Sequence, residues 1–159
     1  GPFHESDLSD LDGMLDVNVR GLIHVSRAVI PTMVARGSGH VINIGSVAGK
    51  WTYPGGTAYC ATKAAVAALT EGMKMDLHGT GVRVSTVDPG LVETEFSLVR
   101  FHGDAQAAEK VYQDIDPLTA EDVADTVLFC ASRPSHVNIN QVVMMCTDQS
   151  SSTMVHRRG

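Results

Sequence analysis

The sequence predicts an α/β domain built on a parallel sheet. Three short runs rich in β-branched residues alternate with long segments rich in Ala, Leu and Met, and turns that contain glycine separate several of them. This alternation is typical of parallel sheets whose strands are connected by helices. Apolar residues make up 43% of the 159 residues, which is enough to build one core, so we expect a single domain over residues 1–159.

The first long helix is predicted between Leu11 and Ala35. Apolar residues recur there at helical spacing. Ser9, followed three residues later by Asp12, resembles a capping box at the start of the helix, and the Gly-Ser-Gly turn at 37–39 marks its end. We therefore predict a long helix that carries apolar side chains on more than one face.

The strands are predicted where β-branched residues cluster, at HVINI (40–44), VRVSTV (82–87) and a third run near 141–145. Three parallel strands leave one flank of the sheet bare, and native domains avoid such an exposed edge. We therefore expect the domain to lack its first strands.

Two further helices are predicted, at 57–78 and at about 120–131. The stretch from 91 to 116 is irregular, with a short helix predicted around 105–113, and we expect this loop to close over a ligand. The polar tail from Thr147 is predicted to be loose or held by another chain.

Composition argues against several classes of protein. The 18 acidic and 12 basic residues give a net charge of −6, and the longest basic cluster is Arg157-Arg158, so nucleic acid is not an expected partner. No apolar run approaches the roughly 20 residues that cross a bilayer, and the first residues are acidic, unlike a signal peptide. We expect a cytoplasmic protein that does not bind membranes.

The cysteine and histidine residues do not follow a metal-binding pattern. The three cysteines are widely spaced, and no two histidines stand two or four residues apart. We therefore expect no metal, and reduced thiols at Cys60, Cys130 and Cys146.

Tyr59 and Lys63 are the residues most suggestive of chemistry. Four residues apart on a helix, they share one face, and an ammonium beside a phenol lowers the phenol's pKa by favouring the phenolate. Ser46 follows the first strand, at the edge where open α/β sheets bind ligands. The sequence thus predicts an acid/base site, although Tyr and Lys at this spacing are also common neighbours on a helix surface.

Four motifs in order resemble the short-chain dehydrogenase/reductase family: DVNVRG, INIGSVAG, YCATK and DPGLVETEF. The resemblance covers nearly the whole chain. Within the family, the stretches GLVETEFSLVRFHGD and LTAEDVADTV and the ending VHRRG resemble the NADP-dependent 3-hydroxy acid dehydrogenases, which act on serine, allo-threonine and related acids.

The resemblance implies a catalytic role for four residues. Tyr59 would be the general acid/base that exchanges a proton with the substrate while a hydride moves to or from the nicotinamide. Lys63 would lower the pKa of Tyr59 and bind the nicotinamide ribose. Ser46 would position the reacting oxygen, and Asn18 would hold a water by interrupting its helix. A polar residue on a solvated turn is the simpler interpretation of Asn18.

The resemblance also implies a site for the nicotinamide end of the cofactor, formed by Pro89, Gly90, Val92 and Thr94. The simpler interpretation of the Pro-Gly pair is a turn that ends a strand. Arg100 could pair with a substrate carboxylate, since a guanidinium suits that geometry, but a solvated or salt-bridged side chain is the simpler interpretation.

The family's glycine-rich strand, turn and helix, which hold the pyrophosphate, would precede Gly1. The resemblance therefore implies the C-terminal portion of a Rossmann-like doubly wound sheet without its N-terminal nucleotide-binding units. NADP follows from the resemblance alone, and NAD stays open. Three explanations of the missing nucleotide-binding units stay open. The chain could be a fragment of an ordinary enzyme, it could be completed by a second polypeptide, or its catalytic residues could be vestigial and its helices serve only for assembly. We expect the chain to be inactive alone.

The helices at 11–35 and 57–78 correspond to those that form a four-helix dimer interface in the family, so we expect a homodimer or homotetramer. A non-catalytic oligomerisation module, or a truncated remnant of such an enzyme, is the alternative function.

Overall fold

The computed structural model describes residues 1–159 and contains a three-stranded sheet. Its strands are β1 (Gly39–Ile44), β2 (Val82–Pro89) and β3 (Gln141–Met144). They are all parallel and lie in the order β1-β2-β3, so β2 is central. The predicted fold class is confirmed, and each strand agrees with its predicted range to within two residues at either end.

Six α-helices accompany the sheet: α1 (Leu8–Leu15), α2 (Leu22–Arg36), α3 (Thr57–Asp76), α4 (Phe96–Arg100), α5 (Ala105–Tyr112) and α6 (Ala120–Ala131). Short 3-10 turns lie at Phe3–Glu5 and Val47–Gly49. The predicted helices are present, whereas α4 falls in the stretch that the sequence leaves irregular. None of the helices combines the length and the apolar character that crossing a membrane requires.

The first predicted helix starts earlier than expected and is interrupted. Asp7 is its N-cap, because Asp7 Oδ1 accepts hydrogen bonds from both the backbone N–H and the hydroxyl of Ser9, each at 2.8 Å. The predicted capping box of Ser9 and Asp12 is therefore wrong, since the Ser9 hydroxyl donates backwards. A π-helical turn at Asp16–Gly21 separates α1 from α2 and contains Asn18.

The core lies around β2. Val84 and Val87 on this strand are completely buried. The remaining buried apolar residues come from the segment after β1, from α3, from α6 and from the segment after β3: Val47, Ala48, Cys60, Val66, Cys130 and Cys146. The three cysteines are free and buried, so they act as small apolar side chains.

Apolar residues on α2 face two grooves, as the predicted multi-sided pattern requires. One groove of about 410 Å³ runs between α2 and the outer edge of β1, and its lining includes Val25 and Val29. The other, of about 580 Å³, lies between α2 and α3, and its lining includes Ile23 and Met73. The outer edge of β1 carries no paired strand.

The prediction of a loose or partner-held tail is wrong, because the chain itself holds residues 147–159. Gln149 is buried and forms an antiparallel bridge with Val155. The Arg158 backbone N–H donates to Asp114 O at 2.8 Å, and its guanidinium pairs with Asp148 at 2.7 Å. These contacts return the tail to the loop that precedes α6.

Candidate active site

The candidate site forms where β1 and β2 end and α3 begins. Ser46 lies two residues beyond β1, Pro89 is the last residue of β2, and Tyr59 and Lys63 lie in the first turns of α3. The structure brings three of them together: the Ser46 hydroxyl lies near enough to the Tyr59 hydroxyl to lower its pKa, and Lys63 Nζ lies 5.8 Å from the centre of the Tyr59 ring. This is the edge at which open α/β sheets bind ligands.

Ser46 is held by the turn that follows it. Its Oγ accepts from the Ala48 N–H at 3.1 Å and caps the short 3-10 turn. Its contact with the carbonyl of Pro89 is 3.4 Å, which is long for a hydroxyl hydrogen bond. The backbone thus fixes the oxygen of Ser46, while its hydrogen stays available to a better acceptor.

The pKa of Tyr59 is raised from its ordinary value. Burial is the main cause, and the nearby Ser46 hydroxyl, which favours the phenolate, opposes it. The Phe96 ring packs against the phenol with the two ring centres 5.4 Å apart, which adds to that burial. The predicted lowering of this pKa by Lys63 is therefore not observed, because desolvation disfavours the phenolate more than the surroundings favour it.

Lys63 points its amine at the end of β1 rather than at the Tyr59 hydroxyl. Nζ donates to the carbonyl of Ile44 at 3.1 Å. An ammonium carries three donors, so two stay free for other partners. Burial lowers the pKa of Lys63, and the charge of Asp88 raises it. The same side chain lines the groove beside β1, together with Asn18.

Asn18 is tied to α3 through one residue. Its Nδ2 donates to Thr62 Oγ1 at 3.1 Å, and the Thr62 hydroxyl donates to the carbonyl of Tyr59 at 2.8 Å. The π-helical turn is the helix interruption expected at Asn18. Sequence reasoning missed Thr62, which is fully buried, because its partner lies 44 residues away and leaves no local pattern.

Residues 89–94 are fixed mainly by β3 and the C-terminal tail. The Gly90 N–H donates to Met144 O at 2.8 Å, and the Leu91 N–H donates to Gln149 Oε1 at 2.9 Å. A Cβ on residue 90 would lie 2.0 Å from Gln149 Oε1, so only glycine allows the buried glutamine to come this close. The Pro-Gly pair therefore serves packing as well as ending the strand.

Val92 presents a free donor within this segment. Its carbonyl accepts from the Tyr112 hydroxyl at 2.8 Å, and the N–H of Glu93 donates to Leu118 O at 2.8 Å. The Val92 N–H itself donates to no group of the chain. Thr94 Oγ1 accepts from the Phe96 N–H at 3.3 Å, which leaves its hydrogen available.

Arg100 lies close to the site without an acidic partner. Its guanidinium stands 5.5 Å from the Tyr53 ring and 5.3 Å from the Phe101 ring, and it forms no salt bridge within the chain. Its charge lowers the pKa of Tyr59 and of Tyr53, although burial, the larger cause, raises both. Sequence reasoning missed Tyr53, since nothing in its loop indicates a contact with a residue 47 positions later.

Comparison with known proteins agrees with this geometry. The profile of the family described as short chain dehydrogenase matches residues 1–104. The chain is 50% identical over 158 residues to the NADP-dependent 3-hydroxy acid dehydrogenase YdfG of Salmonella typhi and 47% identical over 152 residues to sulfoacetaldehyde reductase 2 of Chromohalobacter salexigens. These alignments cover 98% and 95% of this chain.

Solved structures are similar as well. The closed form of a serine dehydrogenase complexed with NADP+ has a TM-score of 0.94 and 50% identity, over 99% of this chain and 64% of the other. A serine dehydrogenase from Escherichia coli has a TM-score of 0.79 and 42% identity, over 94% and 59%. The chain spans 64% of the length of the Salmonella relative and 60% of the Chromohalobacter relative. The chain belongs to the short-chain dehydrogenase family.

Proposed function

We propose that this chain carries the catalytic part of an oxidoreductase that transfers a hydride between NADP and the 3-hydroxyl of a small hydroxy acid of the serine or allo-threonine type. The observation that carries the proposal is the convergence of Ser46 and Tyr59 at the end of the sheet, with Lys63 one helical turn further on. Two hydroxyls that converge at the end of a parallel sheet can bind one substrate oxygen from two sides. Residues 1–159 would form one partial catalytic domain, acting in the cytoplasm.

The donors around the site fit the nicotinamide end of NADP. Lys63 keeps two free N–H donors after bonding Ile44 O, and these suit the hydroxyls of a ribose. The Val92 N–H and the Thr94 hydroxyl are free to donate to a carboxamide, beside Pro89 and Gly90. When bound, the cofactor accepts or supplies the hydride. NAD has the same nicotinamide end, so these donors do not separate the two cofactors.

Tyr59 would act as the proton donor in reduction. Its raised pKa keeps the phenol protonated at neutral pH, so it can give its proton to a carbonyl oxygen that Ser46 also binds. Oxidation needs the phenolate, so its rate would rise with pH towards the pKa of Tyr59. Lys63 would hold a positive charge beside the developing phenolate. Asn18, anchored on Thr62, would hold a water that returns the proton.

Arg100 would select substrates that carry an anionic group. Its guanidinium has no carboxylate partner in the chain and lies within charge range of Tyr59, so an incoming carboxylate could pair with it. The substrates in the names of two relatives, a 3-hydroxy acid and sulfoacetaldehyde, are both small acids. The loop that contains Arg100 would therefore decide specificity.

The helices at 11–35 and 57–78 would join copies of the chain into a homodimer or homotetramer. The groove between α2 and α3 supports this, because its apolar lining includes Ile23, 43% exposed, and Met73. Charge at its centre, as in Ile23→Lys, would shift the mass measured by light scattering towards the monomer. An unchanged oligomer would place the interface elsewhere.

The test is an assay of the chain alone and of the chain fused behind the N-terminal part of the Salmonella relative that it does not match. We expect the fusion to oxidise L-serine or L-allo-threonine with NADP, and the chain alone to be inactive. Tyr59→Phe in the fusion should lower kcat by about 10²- to 10⁴-fold, since it removes the transferable proton but keeps the ring.

Tyr112→Phe is the matched control. Its hydroxyl bonds Val92 O and Ser97 and forms no hydrogen bond with Tyr59 or Ser46, so the loss of kcat should be far smaller. A fusion that binds NADP but oxidises neither acid would refute the proposed substrate class. Full activity in Tyr59→Phe would refute the proposed mechanism.

A further inference from the structure

Asp88 is a buried acid that the proposed mechanism does not use. It is the penultimate residue of β2, directly before Pro89, and only 3% of its surface is exposed. Burying a carboxylate is costly unless hydrogen bonds or opposite charges compensate it. The partners of Asp88 therefore indicate what keeps it there.

Gln141 orients one oxygen of this carboxylate. Its Nε2 donates to Asp88 Oδ2, and its Oε1 accepts from Lys50 Nζ at 3.1 Å. The reverse orientation of the amide would set its oxygen against the carboxylate and its NH2 group against the ammonium, so the charges on either side fix the amide. Gln141 thus connects a buried anion to an exposed cation.

The other oxygen lies against the end of β1. A Cβ on residue 45 would lie 1.9 Å from Asp88 Oδ1, so the close approach depends on Gly45. The preceding residue, Ile44, accepts the hydrogen bond from Lys63 Nζ at 3.1 Å. The carboxylate and the ammonium therefore meet two consecutive residues at the same strand end.

The charges around this strand end are few. Lys50, reached through Gln141, and Lys63 from α3 are the cations whose charges act on Asp88, and neither forms a salt bridge with it. The Thr86 hydroxyl on β2 also favours the carboxylate. Burial raises the pKa of Asp88, and these neighbours together oppose the rise. Among the groups that act on Lys63, Asp88 is the one that favours the ammonium, against the lowering of the pKa of Lys63 by burial.

We propose that Asp88 is a positioning residue for Lys63: its buried carboxylate, oriented by Gln141 and admitted by Gly45, keeps the Lys63 amine charged and close to the end of β1. This inference rests on the proposed function, in which the charge of Lys63 supports Tyr59. Asp88 itself touches neither substrate nor cofactor. It acts on the reaction only through the ammonium.

The experiment measures the titration of Lys63 directly, without substrate or cofactor. The chain contains four lysines, so lysine labelled with ¹³C at Cε gives four NMR signals, and Lys63→Arg identifies the one that belongs to Lys63. We expect Asp88→Asn to shift the titration of Lys63 to lower pH. Lys74 and Lys110, whose charges do not act on Asp88, should move less.

Asp125→Asn is the matched control, because it removes the same charge from an exposed position on α6 without hydrogen bonds of its side chain. An unchanged titration of Lys63 in Asp88→Asn, or an equal shift in Asp125→Asn, would overturn the proposal. The titration measures no turnover, so it can be interpreted even if the activity assay of the proposed function fails.

The wild-type chain provides a second measurement should Asp88→Asn fail to fold. Titration into acid protonates Asp88, so the Cε signal of Lys63 should show a second inflection at the pKa of that carboxyl. The signal of Lys110, on α5, should show no inflection at that pH. A Lys63 signal without this second step would contradict the coupling.

Discussion

Strand β2 buries two of its valines, whereas helix α2 leaves its valines exposed. Val84 and Val87 on β2 are completely buried, whereas Val25 and Val29 on α2 expose 65% and 40% of their surface. Burial of apolar surface is the main favourable contribution to folding, so these two valines of β2 contribute more to stability than the two of α2.

This difference in burial also distinguishes the candidate site from the grooves on α2. Ser46 accepts from the Ala48 N–H at 3.1 Å in the turn after β1, and Asp88 lies against Gly45 at the end of the same strand, so the geometry of the site follows from the core. The grooves on α2 are apolar and open, and their burial requires further protein. The proposed catalytic residues thus lie in the well-packed region, and the proposed interface between copies of the chain lies on α2.

The largest expected effect on stability comes from shortening a buried side chain on β2. Val84→Ala should lower the free energy of unfolding by about 3 kcal/mol, because it removes two buried methyl groups and leaves a cavity. Val25→Ala on α2 should change it by less than about 0.5 kcal/mol, since that side chain is mostly in solvent. Urea denaturation measures the free energy of unfolding of both variants. Equal losses would show that the two positions contribute equally to stability.

Glycines in the two regions should respond with opposite sign. Gly45→Ala should destabilise the chain by about 2 kcal/mol, because the new Cβ would collide with Asp88 Oδ1. Gly13→Ala on α1 meets no atom within 4 Å and should stabilise by up to about 1 kcal/mol, through helix propensity. Thermal unfolding of the two variants checks the signs, and a stabilising Gly45→Ala would show that the strand end can yield.

A smaller effect is expected from His40, on the edge strand β1. The Ser85 hydroxyl donates to Ile139 O and so accepts from His40 Nε2 at 2.7 Å, which leaves His40 Nδ1 buried, unprotonated and without a partner. Burial and the charge of Arg83 lower the pKa of His40. The folded state therefore disfavours the proton, and stability should fall as pH falls below the unfolded value of about 6.5.

Comparing unfolding at about pH 7.5 and about pH 5.5 tests this dependence. His40→Gln should lose less stability between the two than the wild type, because glutamine does not titrate. His24→Gln, at an exposed position on α2, should behave like the wild type. If His40→Gln and the wild type lose the same stability between the two pH values, protonation of His40 does not destabilise the folded state.

The sequence predicted the elements that local pattern defines. β-branched runs located β1 and β2, because buried strands favour these residues, and a stretch rich in Ala, Leu, Met and Lys located α3. Helix α4 was missed because it is five residues long and has no side-chain cap, and because a hydrogen bond between Ser97 and Tyr112 helps to hold it. Tertiary contacts of this kind leave no periodic signal.

The candidate site was predicted only in part, for the same reason. Spacing placed Tyr59 and Lys63 on one face, and the resemblance added Ser46 and Asn18. Asp88 was missed because Gln141, 53 residues away, supplies its partner. The direction of the Tyr59 pKa shift was also wrong, since helix spacing shows the nearby amine but not the burial of the phenol.

The titration of Tyr59 tests the central claim, that Ser46 and Tyr59 share one site, most directly. The phenolate absorbs in the near ultraviolet, and subtracting the curve of Tyr59→Phe isolates Tyr59 from Tyr53 and Tyr112. We expect a pKa above the usual value of about 10 for Tyr59, and a further rise in Ser46→Ala, because that change removes the neighbouring hydroxyl that favours the phenolate. A pKa of Tyr59 that Ser46→Ala leaves unchanged would contradict it.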